Sequence, residues 1–234
     1  MITIAVGVGE NKNILKAIDN FDDIDFKLVH DDKELLNSIL DSDIDCVIRG
    51  SLPASKVISQ LKSQFPNVFR STYIKDENHE FLIAPVGIDE GNCIEEKLRI
   101  AVECGNFLEK LSVEPKIAIL SKAREGDYGR GYEIDQSIEQ GNKLECLIRK
   151  KTNLNVTNYN ILIEQAIRDK CNVLIPPDGI IGNYLFRTLV LVNGWPSYGA
   201  VTFGLDKTYI DTSRDQTVEG YERSIKLGCR LHKL

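Results

Sequence analysis

The absences in this 234-residue chain narrow its chemistry before any motif is read. It has three histidines, His30, His79 and His232, scattered far apart, and its six cysteines never form C-x-x-C, so the spacing offers no zinc site. No apolar run approaches the roughly 18 residues of a membrane span, which excludes a transmembrane helix. No basic cluster interrupts a net charge of −6, made of 29 basic and 35 acidic residues, so no nucleic-acid partner is expected. The opening MITIAVGVGENK has neither a basic n-region nor a small-residue cleavage site, and it reads as a first strand rather than a signal peptide. Its Gly-x-Gly lacks the third glycine of a dinucleotide fingerprint. Internal repeats, linkers and low-complexity segments are missing as well.

What remains is an ordinary globular composition, long enough for one large or two small domains with a sizeable core. Five of the cysteines (the set is Cys46, Cys93, Cys104, Cys146, Cys171 and Cys229) lie in apolar patterns and are expected to be reduced core residues of a cytoplasmic protein.

Strand and helix patterns alternate along the chain. Ile2 to Val8, Phe26 to Val29 and Ile44 to Ile48 read as strands, with helices over Ile14 to Ile18 and up to about Leu40 between them. Asn11 or Asn13 is expected to cap the first helix, and Asp31 or Asp32 the second. A helix from Ala54 to about Gln64 follows. Two strands, Val68 to Ile74 and Glu80 to Val86, flank a polar turn at Asp76-Glu77-Asn78. A long helix from Asn92 or Cys93 to about Leu111 is expected to bury Ile94, Leu98, Ala101, Val102, Gly105 and Leu108. Lys116 to Leu120, Val173 to Ile175 and Ala200 to Phe203 are further strands. Tyr132 to Asn142 is a helix, 142–151 reads as more helix or as a strand, and Thr157 or Asn158 opens another helix. Tyr184 to Val192, apolar nearly all round, suits a buried helix. This alternation predicts an α/β fold with a parallel sheet covered by helices.

Four places carry polar groups suited to binding. Arg49 follows the third strand, at the edge where open α/β sheets bind ligands, although an arginine paired with a carboxylate would look the same. The loop from Ser121 to Gly131 is rich in glycine and made cationic by Lys122, Arg124 and Arg130; it reads as a ligand loop or as a mobile surface loop. Gly182 and Asn183 sit where free N–H groups at a helix start favour an anion. Ser213 and Arg214 set a hydroxyl beside a guanidinium fork just before the last helix, which begins at Thr217. In the plainer reading Ser213 and Asp215 cap that helix and Arg214 is solvated.

The order of these stretches resembles the phosphate acetyl/butyryltransferase family. Asp178 to Asn183 is similar to the family's DG-x-x-GN segment, Ile4 to Ala17 to its opening strand, acidic-glycine turn and helix, Asp45 to Ser51 to its D-x-x-V-S-G-A strand end, and Glu114 to Ser121 to its x-P-R-V-A-M-L-S strand. The resemblance implies two α/β subdomains around a cleft, as in isocitrate and isopropylmalate dehydrogenases, with 1–80 plus 206–234 in one and 81–205 in the other. It also implies a homodimer, a small anionic or coenzyme-like ligand, and acyl or phosphoryl transfer. By the same resemblance Ser213 and Arg214 are catalytic, and Arg49, Ser121, Gly182 and Asn183 bind substrate. The family usually has serine at position 49 and an aspartate, as general base, at position 220, where this chain has Arg49 and Gly220. A short chain without that base is similar to the family's methanogen branch, labelled methyltransferase subunit X. That branch implies the alternative of an accessory cleft protein linked to methyl transfer. No S-adenosylmethionine loop or cobalamin D-x-H-x-x-G motif is present, and no cofactor is assigned.

Overall fold

The computed structural model describes residues 1–53 and 55–233. Ala54, expected to open the third helix, lies outside them. The chain divides into two compact units, Met1–Tyr73 with Pro196–Leu234, and Ile74–Trp195.

The first unit begins with β1 (Ile2–Gly7), α1 (Asn13–Ile18), β2 (Ile24–Val29), α2 (Asp32–Leu40), β3 (Cys46–Ile48), α3 (Ser55–Gln64) and β4 (Phe69–Lys75). The second unit holds β5 (Glu80–Ile83), α4 (Ile94–Lys110), β6 (Lys116–Leu120), α5 (Tyr132–Lys151), β7 (Asn155–Asn160), α6 (Ile163–Arg168), β8 (Val173–Ile175), α7 (Gly179–Phe186) and a π-helical stretch, Arg187–Val192. The chain then returns to the first unit with β9 (Ser197–Phe203), β10 (Thr208–Asp211) and α8 (Val218–His232).

In the first unit β2, β1, β3 and β10 lie side by side and parallel, and β9 pairs antiparallel with β10. The expected boundary at residue 205 therefore moves to 195, because β9 belongs to the sheet that carries β10. In the second unit the order is β5-β8-β6-β7, all parallel. The central strands are buried on both faces, so they read as continuous apolar runs: Ile4, Ala5 and Val6, or Cys46, Val47 and Ile48, are all fully inaccessible.

Several local expectations change. Asp31 is the cap of α2, accepting the Glu34 N–H at 2.8 Å. Residues 142–151 continue α5, and Thr157 lies within β7 rather than at a helix start, with α6 beginning six residues later. Strand pairing to β6 wins there because Val156 reaches the core. The run from Tyr184 to Val192 is not buried: Tyr184 and Val192 are 69% and 83% exposed, since the helix starts five residues early and packs through Gly179 and Gly182 instead. On α4 the buried stripe is Lys97, Ile100, Ala101, Cys104, Gly105 and Leu108; Leu98 and Val102 are only half-buried. Cys46, Cys104 and Cys171 are core residues, whereas Cys93 and Cys146 are exposed and Cys229 is half-buried; all six are free. Among the described residues no helix is long and apolar enough to cross a membrane.

Candidate functional site

The C-terminal ends of β1, β3 and β10 lie together because the three strands are parallel neighbours. The chain leaves β1 towards β2 on one side and β3 on the other, the arrangement that opens a crevice in α/β sheets. A pocket of about 770 Å³ occupies that edge, lined by residues 9–12, His30, residues 51–53, Arg214 and Asp215.

Its floor is made by close backbone approach. Gly50 has a positive φ of 61°, and a Cβ there would lie 1.9 Å from the Gly7 carbonyl. The Ser51 N–H donates to that carbonyl at 3.1 Å, and the Gly9 N–H donates to Ser51 Oγ at 2.8 Å. The Gly-x-Gly after β1 thus serves contact with the 49–52 turn.

The loop carrying Ser213 and Arg214 is held through its carbonyls. Asn11 Nδ2 donates to the Arg214 and Gln216 carbonyls, both at 3.0 Å, and Asn13 Nδ2 to the Gln216 carbonyl at 3.2 Å. Lys12 holds the N-cap position of α1, while Asn11 Oδ1 accepts the N–H of Asn13, the first residue of that helix, at 3.0 Å; both asparagines pin this loop. The Tyr221 hydroxyl lies 2.8 Å from the Arg214 carbonyl and 3.2 Å from that of Ser213. Burial pushes Tyr221 up to about 12, so the hydroxyl keeps its proton at neutral pH. Thr217 caps α8 by accepting the Gly220 N–H at 3.1 Å. Ser213 and Asp215 are therefore not its caps.

With its backbone fixed, Arg214 sends an exposed side chain to the pocket, and among the described residues its guanidinium makes no hydrogen bond or ion pair. Lys12, whose Nζ donates to the Gly9 carbonyl at 2.8 Å, adds a second cation. Glu10, His30 and Asp215 line the same space and can exchange protons. Ser213 is half-buried and not among the lining residues.

Arg49 is held away from solvent. Its Nε donates to the Leu52 carbonyl at 2.8 Å and its Nη1 to Asp211 Oδ1 at 2.9 Å, while Arg70 Nη1 meets Asp211 Oδ2 at 3.2 Å. The pairing that sequence could not distinguish from ligand binding is the one present; it ties the end of β3 to β10. At position 220 a Cβ would come within 2.6 Å of Gln216 Oε1, so a carboxylate there would have to displace the Gln216 side chain.

The second unit has its own edge pocket, of about 360 Å³, beyond the C-terminal ends of β5, β6 and β8. Asn92, Lys97, Lys122, Ser137, Gln140 and Asp178 are among its walls. The residues expected there from sequence do other things. A Cβ on Gly182 would lie 1.9 Å from the Pro85 carbonyl, so this glycine exists for backbone contact. The Asn183 Nδ2 donates to the Val86 carbonyl at 3.1 Å. Two donors of the α7 N-terminus are already taken: Asp178 Oδ1 accepts the Ile181 N–H at 2.9 Å and the Glu90 carbonyl accepts the Gly179 N–H at 3.0 Å. Ser121 is buried beside Gly141, with no hydrogen-bond partner for its Oγ among the described residues. Lys97 was missed; its signal was a charge on the helical stripe of Ile100, Ala101, Cys104 and Leu108.

Among the described residues no group of three or more His, Cys, Asp or Glu side chains is placed to hold a metal ion.

This architecture is that of phosphotransacylases. A branched-chain phosphotransacylase from Enterococcus faecalis superposes with a TM-score of 0.79 at 17% identity, covering 99% of both chains. A phosphotransacetylase from Streptococcus pyogenes gives 0.68 at 14% identity, covering 100% of this chain and 94% of that one. A beta-decarboxylating dehydrogenase from Thermococcus kodakarensis gives 0.56 at 12% identity, over 99% and 82% of the two chains, which extends the fold to the dehydrogenases named above. At these identities the likeness establishes the fold alone. No family model matches the sequence. An uncharacterized methyltransferase of Methanocaldococcus jannaschii is 37% identical over 238 residues, 97% of this chain and 96% of that protein. The protein of Methanosarcina mazei provisionally named methyltransferase mtx subunit X is 36% identical over 213 residues, 88% of this chain and 74% of its own length. The chain belongs to the methanogen family that these proteins represent.

Proposed function

We propose that the first-unit pocket binds a phosphate-like oxyanion on Arg214 and supports group transfer, of an acyl or phosphoryl group, on a coenzyme-like substrate. The observation that carries the reading is the exposed, unpaired guanidinium of Arg214, on a loop pinned by Asn11, Asn13 and Tyr221, at the strand edge where α/β sheets bind ligands. A guanidinium binds an oxyanion in a bidentate fashion and stabilises charge that develops on it. Ser213, next to it, orients the attacking or leaving group, and His30, Glu10 or Asp215 takes the proton that position 220 cannot. The six free cysteines suit a reducing cytoplasm, and the exposed apolar residues Tyr184, Leu191 and Val192 suit a homodimer, which light scattering would reveal.

The test is calorimetry on the full chain with inorganic phosphate and with acetyl- and butyryl-coenzyme A. Arg214→Ala should weaken phosphate binding by about tenfold to a hundredfold, as expected for a lost charged hydrogen-bonding partner, without changing the melting temperature. Unchanged phosphate affinity in that variant would remove Arg214 from the site.

A second reading has one specific observation in its favour. Gly220, with Gln216 packed over it, leaves the loop without the family's base, as befits an accessory protein that binds but does not turn over. The relatives' names attach that reading to methyl transfer. Thioester and phosphate binding with no transfer product under any acyl-acceptor pair would favour it.

A further inference from the structure

The second unit buries an ammonium that no acidic side chain pairs with among the described residues. Lys97, on α4, is 5% exposed. Its Nζ donates to Gln140 Oε1 and to the Pro177 carbonyl, each at 3.0 Å, and among the described residues it forms no ion pair. Both acceptors are neutral, and an ammonium has three protons to place. Leaving such a charge out of water without a counter-ion is costly. Burial pushes Lys97 below the usual lysine range, with the charge of Asp178 acting in the opposite direction. Asp178 is itself engaged, its Oδ1 capping α7 at 2.9 Å from the Ile181 nitrogen.

The other walls of this pocket of about 360 Å³ present donors as well. Gln140 must turn its oxygen to the ammonium, which leaves its NH₂ group as the free half of the amide. Ser137 Oγ accepts the Lys122 N–H at 2.9 Å, so its own proton remains to donate. The Lys122 ammonium lines the same space, and among the described residues its ion pairing is a long 3.9 Å contact to the well-exposed Glu133 carboxylate. Two cations, an amide and a hydroxyl therefore line one pocket, with the carboxylates of Asp178, which caps α7, and the exposed Glu133 also in its walls.

We infer that this pocket is an oxyanion site of its own, in which Lys97, Lys122, Ser137 and Gln140 hold the carboxylate or phosphate end of a small molecule. It lies wholly within the second unit and does not depend on Arg214. The competing account makes Lys97 a strut that ties α4 to α5 and to the turn after β8, with no ligand at all.

Calorimetric titration of the full chain with inorganic phosphate and, separately, with malonate tests this in an Arg214→Ala background, in which the first-unit site is weakened at least tenfold and the two sites separate by affinity. The Arg214→Ala protein should still bind one of the two anions, and which one it prefers identifies the class. Adding Lys97→Met, which keeps the buried stem, should weaken that binding at least tenfold; Lys122→Gln, at a surface position, should weaken it severalfold without any risk to folding. No anion binding in Arg214→Ala, or equal binding with and without Lys97→Met and Lys122→Gln, would overturn the inference while leaving the role of Arg214 untouched. Loss of binding through Arg214→Ala alone would sustain the first-unit site and remove this one.

Discussion

The two units place a cation at the same kind of strand edge in opposite ways. In the first, Arg214 is exposed and its backbone is fixed, with Asn11, Asn13 and Tyr221 holding the carbonyls around it. In the second, Lys97 is buried and its side chain is fixed, by Gln140 and Pro177. The first arrangement keeps the charge hydrated until a ligand arrives, so it costs little in the empty protein. The second carries a standing desolvation cost that only a bound anion offsets fully. A parallel sheet thus supplies the location in both units, while burial decides how each charge behaves.

The largest expected effect breaks the frame of the first unit. Asp211 is shared by Arg49 and Arg70, and Asp211→Ala should take the carboxylate from both of these largely buried guanidinium groups and lower stability by about 3–5 kcal/mol in urea unfolding. Hydrogen exchange should show the loss first in β3 and β10. If Asp211→Ala unfolds no more easily than the parent, the Arg49 pairing does not hold the edge.

Next is Gly182→Ala, which probes the frame of the second unit. Its Cβ would meet the Pro85 carbonyl at 1.9 Å, so the backbone must part, at about 1–3 kcal/mol as in other overpacked sites. An unchanged unfolding midpoint would mean that α7 can retreat freely. Smaller still, Thr217→Ala removes the cap of α8 and should cost about 1 kcal/mol, leaving phosphate affinity within twofold because the loop is held by Asn11 and Tyr221 rather than by the cap.

The smallest effect sharpens the contrast itself. Lys97 has a folded-state pKa below its unfolded value of about 10.4, so between the two the unfolded chain binds more protons and stability rises with pH. Asp178, Cys93, Glu96 and Lys122 all act on this ammonium. Cys46, Cys171 and Cys229, whose pKa values burial raises, tilt stability the other way as pH increases. The quantity to read is therefore the difference between the parent and Lys97→Met from neutral to alkaline pH. The parent should gain on the variant as pH rises; a constant difference would mean that Lys97 titrates as it does in water.

The fold was legible because its strands are buried on both faces and its helices on one, so each writes its period into the chain. Ile4 to Val6 and Cys46 to Ile48 could hardly be anything but central strands. The site was less legible. Arg214 was visible as a donor ahead of a helix, but Arg49 was visible as the same thing, and only the position of Asp211 separates them. Gly182 and Asn183 look like an anion-binding helix start, yet Asp178 and the Glu90 carbonyl already occupy donors there. Lys97 stood on the buried stripe of α4, three residues before Ile100 and four before Ala101; the expected stripe had Ala101, Gly105 and Leu108 right but took Leu98 where Lys97 is buried.

Periodicity, turn residues and the order of short motifs are local properties, and they were enough to determine an α/β chain with parallel strands and a Ser-Arg loop before its last helix. Which cations are free, which are paired and which are buried depends on residues far apart in the chain. Arg49 meets Asp211 across 162 positions, Asn11 meets the Arg214 carbonyl across 203, and Lys97 meets Pro177 across 80. Pairing and desolvation are set by those distances in space, so the tertiary structure alone decided them.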